Sequence, residues 1–387
     1  MRQLRITILI SRLRGGGAER LAALLANGLL ARGHDVSVVT LAGPEEPFYP
    51  LDSGVALVPL GVLGESHGAA EAVLANARRI RAIRRALRFL APEVLIASVT
   101  ETNVLAVLAA RAVERAPSRI VVWEHIYPPR QRIGVPWRMA RRVTYPLADA
   151  VVPCGLGVAE WFYTWLPAHK VVPIQNPVSL AGRRPDAHAE RLASPMASEK
   201  WILGMGRLAP EKGFDLLLEA FALVPAETRK GWRLGIVGDG PLRAELEHRV
   251  ASLKLENQVE LLGLLADPMP ILRAGRIFAL SSRHDAFPTA LLEAMGCGLP
   301  AVAFDCPSGP GEIVRHGVDG LLVPAGDARA LAGGLAKLME DAGMRAGLAA
   351  RAPEVLQRFS EERFLRAWEA LIGRLCGQKL HYNPSRT

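Results

Sequence analysis

Short runs of β-branched and aliphatic residues alternate with longer stretches of helical periodicity along the whole chain. This alternation is typical of parallel β-sheets that are covered by helices. The first half of the chain predicts six strands, at residues 5–11, 36–41, 94–99, 120–124, 150–153 and 170–174. Residues 177–200 are rich in Pro, Ala, Ser and Arg and lack clear periodicity, so they predict a linker.

The same alternation restarts after the linker, and it predicts strands at residues 201–206, 233–237, 259–262, 277–281, 301–304 and 320–323. The fold class is therefore α/β with two Rossmann-like domains, an N-terminal domain over residues 1–178 and a C-terminal domain over residues 179–359. A last helix within residues 360–376 has a broad apolar face, and we expect it to cross back to the first domain. In open α/β sheets a ligand binds beyond the carboxyl ends of the strands, so we expect a site in the cleft between the two domains.

Length and composition narrow the class of protein. The chain has 387 residues, of which 50% are hydrophobic, enough for two separate cores. No apolar run approaches the roughly 20 residues that span a bilayer, and the short apolar start predicts a buried strand and not a signal peptide. These features predict a cytoplasmic protein. The four cysteines form no CxxC pair, so we expect reduced thiols and neither a zinc site nor a disulfide framework.

The net charge of +9 is concentrated in the first half of the chain. Residues 1–178 contain 21 Lys and Arg against 13 Asp and Glu, whereas residues 179–387 contain 26 against 25. One predicted helix, around residues 78–90, combines six arginines with an apolar stripe of Ile80, Ile83, Leu87 and Leu90. Such a helix can lie on an anionic membrane, and the alternative is a surface helix whose stripe packs into the core. A second arginine cluster spans residues 130–142, and no nucleic-acid-binding motif accompanies either one.

A glycine-rich loop follows the first strand and opens a helix. At this junction the amides of Gly16 and Gly17 can approach a phosphate closely, because no side chain intervenes. A dinucleotide fingerprint needs a further glycine where Arg20 stands and an acid at the end of the second strand, where residues 39–41 are Val-Thr-Leu. An NAD or FAD enzyme is therefore disfavoured.

Two acids, Asp285 and Glu293, stand seven residues apart across a loop and the start of a helix. Pro288 suits the first helical position, so the amides that follow it, beginning with Thr289, point outward and attract anions. Glu293 lies one turn further along on the same face as Thr289. This places a hydroxyl-binding carboxylate next to a phosphate-binding helix end, as a nucleoside diphosphate sugar requires. The alternative is a buried Glu293 that is paired with an arginine or a backbone amide.

Three further features lie at strand ends. Arg207 and Lys212 occupy a turn after the first strand of the second domain, where two cations can clamp a diphosphate. Gly238, in a Gly-Asp-Gly-Pro turn, lets a ligand approach the backbone. His125 ends a first-domain strand, and an imidazole there can hydrogen-bond a sugar or exchange a proton at neutral pH. Structural roles are the alternative in each case.

Taken together, these motifs resemble the retaining glycosyltransferases of family 4, which have the GT-B fold. The resemblance covers nearly the whole chain and is carried by four segments: Gly15 to Arg20, Gly206 to Gly213, the Gly-Asp-Gly-Pro turn, and above all Ser282 to Met295. The family has Glu, seven residues and Glu in the last segment. Here the first acid is Asp285, followed by Ala286 in place of the usual glycine. Residues 304–313 and 319–324 are similar to members that build bacterial polysaccharides or lipid-linked glycans.

The resemblance implies a hexosyltransferase that uses a nucleotide sugar, expected to be a UDP-sugar, with no cofactor and no metal. It implies that Glu293 holds the ribose hydroxyls and that Arg207 and Lys212 hold the diphosphate. Asp285 and the backbone of Phe287, Pro288 and Thr289 would contact the donor sugar, and His125 would face the reaction centre. The implied partners are a glycan or polyprenyl-diphosphate-linked acceptor and, through the basic first domain, the inner face of the plasma membrane.

Other activities of the same fold stay open at this point. A sugar-nucleotide epimerase would act on a nucleotide sugar without an acceptor, and a phosphorylase would require a cofactor lysine site that the sequence does not identify. Because Asp285 and Ala286 depart from the family pattern, a nucleotide-binding relative without turnover is a third alternative. The sequence does not specify the base, the sugar or the linkage.

Overall fold

The structure is a computed structural model that describes residues 2–64, 68–112, 119–180 and 185–377. The chain forms two compact units. One comprises Met1–Cys154, Val158–Gln175 and Glu362–Thr387, and the other comprises Gly155–Gly157 and Asn176–Glu361. The chain crosses from the main part of the first unit to the main part of the second between Gln175 and Asn176. This point is close to the domain boundary expected after Val178.

The first unit is built on a six-stranded parallel sheet whose strands follow the order β3-β2-β1-β4-β5-β6. These strands are β1 (Arg5–Ile10), β2 (Asp35–Thr40), β3 (Ala56–Pro59), β4 (Val94–Ser98), β5 (Arg119–Glu124) and β6 (Ala150–Pro153). The order reverses between β1 and β4. The central strands are buried on both faces, which explains why their sequences are continuous apolar runs.

One predicted strand of this sheet is wrong, and one observed strand was not predicted. Residues 170–174 do not form a strand, although Val171 bridges to Val151 and the amides of Val172 and Ile174 donate to the carbonyls of Val151 and Pro153. The parallel ladder is incomplete because Pro153 of β6 has no N–H to donate back. The sixth strand is instead β3, which the sequence analysis missed. It lies at the edge of the sheet, is four residues long and is only partly buried, so it lacks the apolar signal of the central strands.

The second unit contains a second six-stranded parallel sheet, ordered β12-β11-β10-β7-β8-β9. Its strands are β7 (Lys200–Met205), β8 (Trp232–Val237), β9 (Val259–Gly263), β10 (Ile277–Leu280), β11 (Ala301–Asp305) and β12 (Gly320–Pro324). All six were predicted, with ends that differ by one residue at most. The two sheets confirm the predicted α/β class with two Rossmann-like units.

Helices cover both sheets. In chain order they are α1 (Gly17–Ala31), α2 (Ala69–Leu90), α3 (Thr100–Ala110), α4 (Val135–Thr144), α5 (Leu156–Tyr163), α6 (Ala187–Met196), α7 (Phe214–Leu223), α8 (Ala226–Arg229), α9 (Arg243–Ser252), α10 (Met269–Ala274), α11 (Thr289–Gly296), α12 (Pro310–Ile313), α13 (Ala328–Glu340), α14 (Ala342–Arg351), α15 (Val355–Arg358) and α16 (Glu361–Leu375). Among the described residues, no helix is both long and apolar enough to cross a bilayer.

The predicted linker contains a helix that the sequence analysis missed. Within residues 177–200 the chain forms α6, whose N-terminus is capped by the Asp186 carboxylate through the amides of His188 and Ala189. Only Ala189 and Met196 of this helix are buried, so its apolar periodicity is too weak to recognise from sequence. Residues 181–184 of the predicted linker lie outside the described residues.

Helix α16 (Glu361–Leu375) lies within the predicted residues 360–376, and its apolar face belongs to the core of the first unit. The ring of Trp368 packs edge-on against Trp123 of β5, with 5.0 Å between ring centroids. The last described helix therefore completes the hydrophobic core of the first unit, which begins with β1.

The apolar stripe of α2 faces the core and not the solvent. Ile83 and Leu87 are buried, and Ile80 and Leu90 are partly buried. The outward positions carry arginines instead. The structure therefore agrees with the surface-helix alternative for this segment.

None of the four cysteines forms a disulfide.

Candidate functional site

The two loops that carry the predicted cations and acids of the second unit leave neighbouring strands. Residues 206–213 follow β7 and residues 281–288 follow β10, and the strand order reverses between these two strands. At such a reversal the loops diverge to opposite faces of the sheet and leave a crevice, which is where open α/β sheets bind ligands. The topology therefore brings Arg207, Lys212 and Asp285 to one edge of one sheet.

The two loops are fastened to each other through their backbones. Gly213 has φ +62°, and a Cβ at this position would lie 2.1 Å from the carbonyl oxygen of Ser281, so only glycine permits this approach. The Ser281 hydroxyl donates to the Lys212 carbonyl at 3.0 Å, and the Arg283 amide donates to the Glu211 carbonyl at 2.8 Å. These contacts place Lys212 next to the loop that contains Asp285.

Lys212 and Asp285 form an ion pair in which Nζ lies 2.5 Å from Oδ2. The side chains are 25% and 12% exposed, so both charges are largely withdrawn from water. Burial lowers the pKa of Lys212, but the Asp285 carboxylate, with help from Glu211, outweighs that effect and holds the pKa above its ordinary value. Lys212 is therefore a permanent cation at neutral pH.

Arg207 is exposed, and in the part of the chain that the structure describes its guanidinium makes no hydrogen bond or ion pair. Its loop is held by the loop after β8, since the Leu208 amide donates to the Asp239 carbonyl at 2.9 Å. Gly238 has φ +138°, and a Cβ there would lie 2.0 Å from the Gly206 carbonyl oxygen. The absence of a side chain at Gly238 thus permits the close contact between the two loops, and it would also permit a ligand to approach the backbone.

Helix α11 begins at Thr289, with Pro288 as the preceding N-cap residue in extended conformation, one position later than predicted. Its first amides have no acceptor within the helix. The loop before it is fixed by two side chains that the sequence analysis missed: Asn176 donates to the Phe287 carbonyl at 3.2 Å, and Ser308 donates to the Ala286 carbonyl at 2.9 Å. Their only sequence signals are the turn-forming Asn-Pro and Pro-Ser-Gly-Pro stretches around them.

Glu293 is 3% exposed, one turn after Thr289 on α11. Its neighbours Leu291, Leu292, Ala294 and Met295 are fully buried. A carboxylate held at such a depth requires hydrogen-bonding partners.

The remaining predicted site residues belong to the first unit, at the carboxyl edge of its sheet. Gly16 is the N-cap residue of α1 and Gly17 is its first residue. A Cβ on Gly16 would lie 2.2 Å from the Glu19 carboxylate, whose pKa is raised by burial. The turn therefore already faces a carboxyl group, and phosphate binding by Gly16 and Gly17 stays a prediction.

His125 directly follows β5, as predicted, and its Nε2 lies 2.9 Å from the hydroxyl of Ser98 at the end of β4. Its Nδ1 is buried and has no hydrogen-bond partner among the residues that the structure describes. Burial lowers the pKa of His125 to about 3. The lowered pKa makes the imidazole a neutral hydrogen-bonding group at neutral pH, and its part in catalysis stays a prediction.

A buried polar network fixes the strand end that carries His125. The carboxylate of Glu124 is fully buried and accepts hydrogen bonds from Thr100 at 3.0 Å, from Asn103 at 3.2 Å and from the Tyr145 hydroxyl. Burial raises the pKa of Glu124 against the opposing effect of these donors. The sequence analysis missed this network, which joins three separate elements.

Two family patterns match this chain. The pattern described as "Glycosyltransferase Family 4" matches residues 15–181, and the pattern described as "Glycosyl transferases group 1" matches residues 190–355. The two matches are adjacent and together cover most of the chain.

Individual proteins with similar sequences or structures support the two family matches. An exopolysaccharide phosphotransferase of Streptomyces coelicolor is 34% identical over 77% of this chain, although the chain spans only 30% of that longer protein. A Campylobacter jejuni protein named GalNAc-alpha-(1->4)-GalNAc-alpha-(1->3)-diNAcBac-PP-undecaprenol alpha-1,4-N-acetyl-D-galactosaminyltransferase is 27% identical over 95% of this chain and 98% of its own length. Among solved structures, Anabaena HepE in complex with UDP-glucose covers 96% of this chain and 100% of its own, with 22% identity and a TM-score of 0.74. The structural likeness confirms the predicted GT-B fold class.

Proposed function

Because the chain belongs to the glycosyltransferases of group 1 and family 4, we propose that it transfers a hexose-type sugar from a UDP-sugar to a glycan or lipid-linked acceptor. The reaction retains the anomeric configuration and serves the synthesis of bacterial cell-surface polysaccharide. The UDP-glucose complex of HepE supports the choice of donor, and the undecaprenol-linked substrate in the name of the Campylobacter relative supports the class of acceptor.

One observation carries this proposal: at the strand reversal of the second unit, the loops after β7 and β10 carry two cations and lead into a helix N-terminus, with a buried carboxylate one turn further on. Arg207 and Lys212 neutralise the diphosphate together with the free amides at the start of α11. Glu293 accepts hydrogen bonds from the ribose hydroxyls. Asp285 and the backbone of residues 287–289 bind the donor sugar.

The same groups account for the chemistry. The bond between the anomeric carbon and the diphosphate oxygen breaks, and the charge that develops on the leaving group is stabilised by Lys212 and Arg207 without a resident metal or cofactor. Glu124 is the acid next to His125 in the first unit, but it is fully buried and bound by three neighbours, which makes it unfit as a nucleophile. The acceptor oxygen therefore attacks on the face that the diphosphate leaves, and the leaving phosphate takes the acceptor proton.

His125 contributes to this step as a neutral group. With a pKa of about 3, its imidazole carries no charge at neutral pH, so it can donate or accept a hydrogen bond to a sugar hydroxyl but cannot act as a general acid. A lipid-linked acceptor would bring the enzyme to the inner face of the plasma membrane as a peripheral protein.

The test combines binding and turnover. A thermal-shift screen of UDP-, GDP- and ADP-sugars should raise the melting temperature with UDP-sugars, since a ligand that binds only the native state stabilises it. Glu293→Ala and Lys212→Ala should each lower the transfer rate at least tenfold, because each removes a charge-assisted contact worth about 1.5 to 3 kcal/mol. Lys337→Ala, an exposed position on α13, is the matched control.

The outcomes separate the alternatives. Near-native rates in both site variants would contradict the proposed site. UDP release or sugar isomerisation without an acceptor product would indicate an epimerase, a sugar phosphate formed with inorganic phosphate would indicate a phosphorylase, and binding without turnover would indicate a non-catalytic relative.

A further inference from the structure

Helix α4 exposes a row of large apolar side chains. Val135 is 54% exposed, Met139 65% and Val143 69%, and Leu147, in the short turn that follows, is 45% exposed. The steps of four residues keep these side chains along one side of the segment, and from Val135 to Leu147 the row extends about 18 Å at helical rise. A contiguous apolar row of this kind on a protein surface marks a contact with another molecule.

Arginines border the row. Arg138 and Arg142 of α4 are exposed, and the Arg142 guanidinium lies 4.3 Å from the ring centre of Trp165, which holds it at the surface. Arg111, at the end of α3, donates a hydrogen bond to the Leu147 carbonyl. Residues 125–148 contain no Asp or Glu. This segment therefore contributes apolar groups and positive charge, and no negative charge, to the surface.

The other basic helix of the first unit differs in this respect. On α2 the stripe of Ile80, Ile83, Leu87 and Leu90 is turned toward the core. Its exposed apolar residues are Val73 and Leu74 near the start and Phe89 near the end, so they form no continuous row. Of the two arginine clusters seen in the sequence, the one on α4 therefore combines cations with a row of open apolar side chains, whereas the exposed apolar residues of α2 are scattered.

We propose that Val135, Met139, Val143 and Leu147, with Arg138 and Arg142, form a surface that docks on an anionic lipid bilayer; we call it the α4 patch. The apolar side chains enter the boundary between headgroups and acyl chains, and the arginines meet lipid phosphates. A second copy of the chain fits less well, because a two-fold contact would set Arg138 and Arg142 against the same cations. The inference rests on the proposed function through its lipid-linked acceptor.

The test uses the full chain and vesicles of phosphatidylcholine with about one third phosphatidylglycerol, compared with vesicles of phosphatidylcholine alone. The variant Met139→Gln/Val143→Gln removes two exposed apolar groups from the α4 patch. The matched control, Val73→Gln/Leu74→Gln, removes two equally exposed apolar groups from α2. We expect the first variant to bind the anionic vesicles at least tenfold more weakly than the unaltered chain, and the control to bind within about twofold.

Charge is tested separately with Arg138→Gln, which should weaken binding to the anionic vesicles and leave the weaker binding to neutral vesicles unchanged. Equal losses in the α4 and α2 variants, or equal binding to both kinds of vesicle, would overturn the inference. A fall in the solution mass of the Met139→Gln/Val143→Gln variant would assign the patch to a second copy and would overturn it as well.

The proposed function is measured in parallel through UDP-sugar binding by thermal shift. Normal donor binding together with unchanged vesicle binding in the α4 variant would refute the α4 patch alone. Absence of donor binding in the unaltered chain would refute the proposed function, whatever the vesicles show.

Discussion

The ion pair between Lys212 and Asp285 leads to a prediction in which two substitutions act in opposite directions. The Lys212 ammonium is bound to the Asp285 carboxylate at 2.5 Å, so an incoming diphosphate must compete for it. Asp285→Asn keeps the shape of the side chain and removes its charge. Lys212→Met keeps the length of the side chain and removes the cation. The first should strengthen the binding of UDP, and the second should weaken it.

The magnitude follows from Coulomb's law. A carboxylate about 5 Å from a phosphate oxygen repels it by roughly 1 to 3 kcal/mol for effective dielectric constants between 80 and 20. Both side chains are partly exposed, which favours the lower end, so UDP should bind Asp285→Asn about fivefold more tightly. Lys212→Met loses a charge-assisted contact of about 1.5 to 3 kcal/mol, and its UDP affinity should fall at least tenfold. Sugar transfer should fall at least tenfold in both variants, since Asp285 also binds the donor sugar.

Isothermal titration with UDP and a transfer assay under the same conditions measure the two effects. The reasoning would be refuted if Asp285→Asn lost UDP affinity to the same degree as Lys212→Met while its circular dichroism stayed native. Asp285 would then order the site and would not compete for Lys212.

Three further predictions concern single residues. Gly238→Ala should lower the free energy of unfolding by about 3 kcal/mol or more and abolish UDP binding, because its Cβ would lie 2.0 Å from a carbonyl oxygen; urea unfolding and titration measure both. The lowered pKa of His125 contributes stability that is present above the ordinary value near 6.5 and is lost as pH falls toward 3. His125→Asn should therefore lose less stability than the unaltered chain between pH 7 and pH 5, and an equal loss would contradict the lowered pKa of the imidazole. Glu124→Ala should lower the free energy of unfolding by about 2 to 4 kcal/mol, since it leaves buried donors unpaired, and an unchanged urea midpoint would show that the network is dispensable.

The central strands and α16 could be predicted from the sequence because burial on a face or on both faces leaves a continuous or periodic apolar signal. The same reasoning placed the start of α11 within one residue, since Pro288 restricts the backbone there. It failed for β3 and α6, which are short and only partly buried. Their formation depends on neighbours that are distant in the sequence.

In the candidate site, too, the features that depend on residues distant in the sequence could not be predicted. The residue types at the ends of β7 and β10 could be identified from local motifs, but the pairing of Lys212 with Asp285 joins residues 73 positions apart through the packing of one glycine on one carbonyl. The pKa of His125 could not be anticipated, because it depends on burial that the tertiary structure creates. Asn176 and Ser308 carry no chemical signature of their own, and only the structure shows that they hold the loop before α11.

The place of α16 has a consequence for biosynthesis. Trp123 is translated long before Trp368, and the aromatic contact between them has to wait until the second unit has been synthesised. Until α16 has been synthesised, the first unit lacks part of its hydrophobic core. The apolar surface that α16 later covers is then exposed and can bind a chaperone. The second unit, by contrast, ends at Glu361, so all of its residues have been synthesised before α16 is complete.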